Sequence, residues 1–214
     1  MVYKIDDSTL ERVKEKLLKM EGEVELILFT ADKDQCIYCN DIEEMASQIE
    51  ALSDKLRVKK GLDLQSDEAK KNRVDKHPAM VIKGANKGTV RYFGMPMMHE
   101  FLPFIDTLVD VSTGKPELEA DTVEKISKIT SPVHIQVFTT PTCPYCPPMA
   151  RTAHKLAIIN ENITGDMIDA MEFMELSQKY QVSSVPRTFI NEKTDLVGAQ
   201  PEGDFVDKVV EAAK

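Results

Sequence analysis

No stretch of this 214-residue chain approaches the roughly 18 consecutive apolar residues that a membrane-spanning helix needs. A helical anchor within it is excluded, and no membrane partner is expected. The opening residues, Met1-Val2-Tyr3-Lys4-Ile5-Asp6-Asp7, lack the basic-then-apolar pattern of a secretory signal. The location expected from both absences is the cytoplasm. Positive charge is also short: 27 Lys and Arg stand against 36 Asp and Glu, a net charge of −9. Divided after Gly114, the halves carry −4 and −5, so neither is a basic module and nucleic acid is not an expected partner. Tryptophan is missing altogether while 29% of residues are charged, a composition compatible with a thermophile. Cysteine is sparse, with four residues and none outside two Cys-x-x-Cys pairs, Cys36/Cys39 and Cys143/Cys146. Without a secretory signal a structural disulfide framework is not expected, which leaves redox chemistry, metal binding or inert burial.

What is present repeats itself. Apolar spacing predicts a helix over 7–20, with Leu10, Val13, Leu17 and Met20 on one face and Asp7 or Ser8 as its cap. Strand-like residues 23–30 follow, then Cys36, a helix from about 37 to 55, a strand over 57–64 and a short helix over 67–73. Strands near 78–82 and 89–93 and a helix over 97–111 complete the first pass. The second pass runs helix 117–129, strand 133–139, a helix opening at Cys143, strand 163–168, helix 171–180, strands 186–190 and 195–198, and helix 205–213. The landmarks keep register. Cys36 precedes Pro78 by 42 residues and Cys143 precedes Pro186 by 43. Val74 and Val182 each stand four residues before the proline, and Gly94 and Gly198 each stand seven before a phenylalanine. The pattern predicts a tandem duplication with units 1–114 and 115–214, joined near 112–119, where glycine, proline and polar residues cluster.

A redox dithiol needs two sulfurs able to close a small ring and one thiolate near neutral pH. A cysteine at a helix N-terminus faces unpaired N–H groups and the positive end of the helix dipole. A second cysteine three residues on shares its side and can resolve a mixed disulfide. Pro144 suits such a first turn, and Tyr38 and Tyr145 occupy matching slots. A structural zinc site is the competing reading. Zinc modules usually separate their cysteine pairs by about 15–20 residues, whereas Cys39 and Cys143 are 104 positions apart and His77, His99, His134 and His154 do not group near them. Pro78 and Pro186 read either as edge-of-strand prolines or as cis-prolines beside the cysteines, where the backbone of His77 or Val185 is free to pair with an extended substrate.

Cys143-Pro144-Tyr145-Cys146 after an apolar strand, with Val185-Pro186 downstream, resembles the thioredoxin/glutaredoxin superfamily. Two such units, the run Thr139-Thr140-Pro141-Thr142 before Cys143, and Arg91-Tyr92-Phe93-Gly94 resemble the protein disulfide oxidoreductases of thermophilic archaea and bacteria, over essentially the whole chain. The resemblance implies an α/β fold of two tandem thioredoxin-like units, each a mixed sheet flanked by helices. It implies protein thiol–disulfide exchange without organic cofactor or metal, recharged by an NADPH-dependent thioredoxin-reductase-like flavoprotein. Cys36 and Cys143 become attacking thiols, Cys39 and Cys146 resolving thiols, and Pro78 and Pro186 the cis-prolines. Gly94-Met95 and Gly198-Ala199 fall where thioredoxins place a substrate-contacting loop. The buried acid that thioredoxins carry six residues before the first cysteine is replaced by Thr30 and Val137, and no double glycine follows Pro186 to mark a glutathione site. An electron-transfer module serving a peroxiredoxin-type peroxidase and a redox-independent chaperone are the alternatives.

The two sites are not expected to be equal. Asp32 and Asp34 stand close to Cys36 and disfavour its thiolate, whereas Cys143 follows neutral Thr140-Pro141-Thr142. The expectation is a more acidic Cys143; His77 reads either as a solvent-facing loop histidine or, if Pro78 is cis, as a neighbour of Cys36 that stabilises its thiolate when protonated. Met95, Met97 and Met98 read as core and helix-face packing, or as an adaptable substrate patch.

Overall fold

The computed structural model describes residues 3–32 and 36–214. Helix α1 (Asp7–Leu17) is capped by Asp6 rather than Asp7 or Ser8: its carboxylate accepts from the Thr9 amide at 3.0 Å and from the Ser8 and Thr9 hydroxyls. The first unit continues β1 (Val24–Phe29), α2 (Cys39–Glu50), β2 (Leu56–Leu62), α3 (Asp67–Lys71), β3 (Ala79–Lys83), β4 (Thr89–Phe93), a 3-10 turn (Met98–Glu100) and α4 (Phe101–Thr113). The helix expected from 97 begins later because Met98 has a positive φ of 51° and interrupts the turn ahead of Phe101. Helix α4 stops at Gly114, whose φ of 65° ends it in the left-handed region. The second unit replays the order with α5 (Ala120–Ser127), β5 (Val133–Thr139), α6 (Cys146–Ile159), β6 (Ile163–Asp169), α7 (Met174–Lys179), β7 (Arg187–Ile190), β8 (Thr194–Val197) and α8 (Glu202–Ala212).

All eight strands form one sheet in the order β2-β1-β3-β4-β6-β5-β7-β8. Within each half the first two strands are parallel and the next two pair antiparallel; the halves join where β4 and β6 run parallel, Arg91 opposite Asp166. Strand alternation sorts the side chains. Leu26, Leu28, Met80, Ile82, Val90, Tyr92, Ile135, Val137 and Met167 face a large core under α1, α2, α4, α5, α6 and α8. Ile27, Phe29, Val81, Phe93, Phe138 and Ile168 face a smaller core beneath α3 and α7.

The large core runs unbroken across the join. Tyr92 of β4 lies between Phe104 of α4 and His154 of α6, with ring centroids at 5.1 and 4.6 Å. His154 is buried, and burial pushes its pKa down to about 4, which keeps the ring neutral. The C-terminal carbonyls of α6 are met by the first unit: the amides of Lys87 and Gly88, in the β3–β4 turn, donate to Ile158 and Ala157 at 3.0 and 2.9 Å. On the smaller-core side the join is ionic. Arg91 donates to both Asp166 oxygens at 2.7 Å and to the Asn72 and Arg73 carbonyls. Burial works to raise the Asp166 pKa, but Arg91 and His134 outweigh it and hold the carboxyl well below the usual carboxylate range.

Candidate active site

The two cysteine pairs stand on one rim of this sheet, beyond the C-terminal ends of β1 and β5. Both are closed as disulfides, each with Cα atoms 5.5 Å apart. Strands β3, β4 and β6 lie between β1 and β5, so the pairs are about four strand spacings, roughly 19 Å, apart along the rim. One zinc ion cannot reach all four sulfurs across that distance. Helices α2 and α6 open at the second cysteine of each pair, later than the starts at about Ile37 and at Cys143 that the sequence suggests. Cys36 and Cys143 sit in the preceding turn, their amides donating to Asp32 and Thr140 carbonyls at 3.1 Å. That turn places the first sulfur ahead of the helix, where the unpaired amides of the first turn point. Pro147 and Pro148 occupy the first turn of α6, where no intrahelical N–H is needed.

Exposure grades the sulfurs. Cys143 is 9% exposed and Cys36 5%, whereas Cys39 and Cys146 are at 1% and 0%. Ile37 and Tyr145, inside the motifs, are exposed apolar residues.

Behind each pair the same backbone device recurs. His77–Pro78 and Val185–Pro186 are cis. The amides of Gly94 and Gly198 donate to the Pro78 and Pro186 carbonyls at 3.1 and 2.9 Å. Both glycines need positive φ, 100° and 77°. Arg73 and Gln181, at φ 52° and 53°, end α3 and α7 just before Val74 and Val182.

The surroundings then diverge. Gly198 and Ala199 lie open at the second pair: a Cβ on Gly198 would meet nothing within 4 Å, and Ala199 is exposed. Gly94 and Met95 do not offer an equivalent face at the first pair. Met95 is 1% exposed, its amide donates to Glu172 Oε1 at 2.6 Å, and a Cβ on Gly94 would collide with Asp169. The second unit covers that loop because β6 ends directly beside β4. Of the other methionines, Met97 packs partly against the core and Met98 is exposed.

Acids that the sequence did not single out gather at this join. Glu100 is buried and, among the described residues, one of its oxygens has no partner; the amide of its neighbour His99 donates to the carbonyl of Pro141, two residues before Cys143. Burial, with a smaller push from Asp169, raises the Glu100 pKa to about 8. Burial likewise raises Asp169, and raises Glu172 to about 7 against the opposing pull of the Met95 amide. Glu100 is thus supplied by the first unit, next to the His99 amide that binds the loop ahead of Cys143, while Val137 of β5 is apolar. Nothing local in sequence marks Glu100, since Cys143 is 43 residues further on.

At the first pair a cavity of about 740 Å³ opens beside the cysteines, lined by Thr30, Ala31, Asp32, Glu43, Asp63 and His77 among others. His77 and Asp32 thus share it, while Asp34 lies outside the described residues. The Thr30 hydroxyl donates to Glu43 Oε1 at 2.6 Å, and the Ala31 amide to Cys39 Sγ at 3.3 Å. Among the described residues no three His, Cys, Asp or Glu side chains converge as a metal site, and no helix is long and apolar enough to cross a membrane.

A thioredoxin-domain family model matches residues 133–211. A protein disulfide oxidoreductase from Aeropyrum pernix superposes with a TM-score of 0.85 at 29% identity, over 99% of this chain and 95% of that one. The N-terminal domain of the alkyl hydroperoxide reductase AhpF from Enterococcus faecalis gives a TM-score of 0.86 at 20% identity, over 96% and 100%, a likeness of fold. The corresponding alkyl hydroperoxide reductase component of Staphylococcus aureus is 26% identical over 182 residues, 85% of this chain. The chain spans 33% of that relative's length. Paired Cys-x-x-Cys disulfides on duplicated thioredoxin folds make the chain a thiol–disulfide oxidoreductase, similar to the protein disulfide oxidoreductase of Aeropyrum with its tandem thioredoxin-like units.

Proposed function

We propose that the chain reduces, oxidises or isomerises protein disulfides, with Cys143/Cys146 as the principal site and Cys36/Cys39 as a second one. The observation that carries this ranking is the covering of Gly94-Met95 at the first pair, against the open Gly198-Ala199 loop at the second. Cys143, the more exposed thiolate, attacks a substrate sulfur; Cys146 then attacks Cys143 and releases the reduced substrate. Val185 and Pro186, with Gly198 and Ala199, are the backbone and loop that hold an extended substrate there. His77 and Pro78 do so at the first site, where Gly94 and Met95 act only as support. Residues 1–114 and 115–214 are the two units of the exchange.

A second reading is favoured by the likeness to the AhpF component of alkyl hydroperoxide reductases: an electron-transfer module that takes electrons from a flavoprotein reductase and passes them to a peroxiredoxin. Both readings use the same dithiol step. Insulin reduction with a small-molecule reductant tests the chemistry on the wild type, on Cys143→Ser/Cys146→Ser and on Cys36→Ser/Cys39→Ser. The second-pair knockout should lose most of the activity and the first-pair knockout should keep most of it. Inactivity of the wild type, or the reverse ranking, would overturn the proposal. Faster turnover with a peroxiredoxin than with insulin would favour the second reading.

A further inference from the structure

Burial sets a problem at the first pair. Cys39 is 1% exposed, so when Cys36 is held in a mixed disulfide the Cys39 thiol must lose its proton without free access to bulk water. Thr30 occupies the position from which an acid would ordinarily take it. We propose that Glu43, oriented by Thr30, is the proton acceptor for Cys39. The proposal rests on the exchange reading above.

Two consecutive residues hold the donor and acceptor together. Thr30 fixes one oxygen of Glu43 through its hydroxyl at 2.6 Å, and Ala31 fixes the Cys39 sulfur through its amide at 3.3 Å. Glu43 follows Cys39 by four residues in α2, which puts both on one face of the helix, a turn apart. The side chain lines the cavity beside the pair. The other charged groups there are less well placed. Asp32 and Asp63 are exposed, and Asp63 accepts from the Gln65 amide. His77 lines the cavity from the other chain segment, directly before Pro78. Lys60 of β2 is bound to Ser47, one helical turn beyond Glu43. Among the described residues lining the cavity, Glu43 is the acid whose side chain is bonded to the 30–31 segment that also holds Cys39.

The step balances within the pair and its substrate. The Cys39 proton passes to the free oxygen of Glu43. The resulting thiolate attacks Cys36 Sγ, forming the Cys36–Cys39 bond and breaking the bond from Cys36 to the substrate sulfur. The substrate leaves as a thiolate carrying the two electrons the pair has given up, and the proton on Glu43 returns to it or to solvent.

The test uses the full chain as Cys143→Ser/Cys146→Ser, fully reduced, mixed with dithionitrobenzoate in a stopped-flow instrument. The first release of thionitrobenzoate reports attack by Cys36 and the second reports resolution by Cys39. Between about pH 5 and about pH 9, Glu43→Gln should slow the second release on the order of a hundredfold at the acid end. The gap should close toward the alkaline end, where hydroxide ionises Cys39 unaided. Thr30→Val, which leaves the carboxylate but frees it, should fall between, and Glu43→Asp should recover part of the rate. Superimposable pH profiles for the parent and Glu43→Gln, or a slowing equal at every pH, would show that Glu43 takes no proton. Absence of a second release in the parent would instead remove exchange at this pair, and the proposal with it.

Discussion

Glu100 shows how much a single buried carboxyl can impose. Its pKa is raised by burial from an ordinary 4.5 to about 8, so the folded protein retains a proton that the unfolded chain releases. A raised folded-state value contributes stability that is complete below the unfolded pKa and lost as pH climbs to the folded one. With both disulfides closed, the melting temperature of the wild type should therefore fall between about pH 4.5 and about pH 8, and Glu100→Gln should flatten that slope. Thermal melts at three pH values decide it; parallel curves would count against a buried, ionising Glu100. The same variant should change the pH dependence of Cys143 alkylation, because His99, next to Glu100, binds the Pro141 carbonyl in the loop that carries that sulfur. Asp166 behaves oppositely: its carboxyl is held down by Arg91 and His134, so its contribution is present at neutral pH and lost only in strong acid.

Among the elements, the β3–β4 turn does more than reverse the chain. Gly88 donates to Ala157, and a Cβ at that position would run into the carbonyl oxygens of Ile163 and Asn160. Gly88→Ala should destabilise the fold by about 1–3 kcal/mol, measured by urea unfolding, as overpacking pushes the turn off the end of α6. The strand and helix order was legible in sequence because alternation and helical spacing survive in both copies, and so were the cysteines, the two prolines and the paired glycines. Helices α2 and α6 begin two and three residues later than the sequence suggests, at Cys39 rather than Ile37 and at Cys146 rather than Cys143, since a turn stabilised by Asp32 or Thr140 has no apolar period of its own. What sequence could not show was the covering of Gly94 and Met95. That depends on β4 lying beside β6, a pairing between residues 75 positions apart at Arg91 and Asp166. Glu43 was within reach, four residues beyond Cys39, but its register with Cys39 carries meaning only once Thr30 is seen to bind it.

At the scale of the whole molecule the two units are interdependent. The second unit takes from the first the neighbour of β6, the cap on α6 and the His99 bond to the loop ahead of Cys143. Expressed alone, residues 115–214 should lose all three, leaving β6 as a bare edge with Ile163, Met167 and Ile168 on it. Such a fragment should self-associate as its concentration rises, read by size-exclusion chromatography. A monomeric fragment with the full chain's Cys143 pH profile would show the units to be self-sufficient. The head-to-tail join has another consequence. Because the last strand of one unit meets the second strand of the next, the sheet ends in two unlike borders, β8 and β2, which are the very surfaces that fit together at the join. A rule of assembly that unites two copies inside a chain is, in geometry, open-ended, and nothing in it says stop after two. The terminating instruction is written on the borders: exposed Arg57, Lys59 and Lys60 along β2, a register shift in its pairing with β1, and a β8 of only four residues. The molecule is thus a filament arrested at its second repeat, and the few residues along those borders are what keep it a discrete particle.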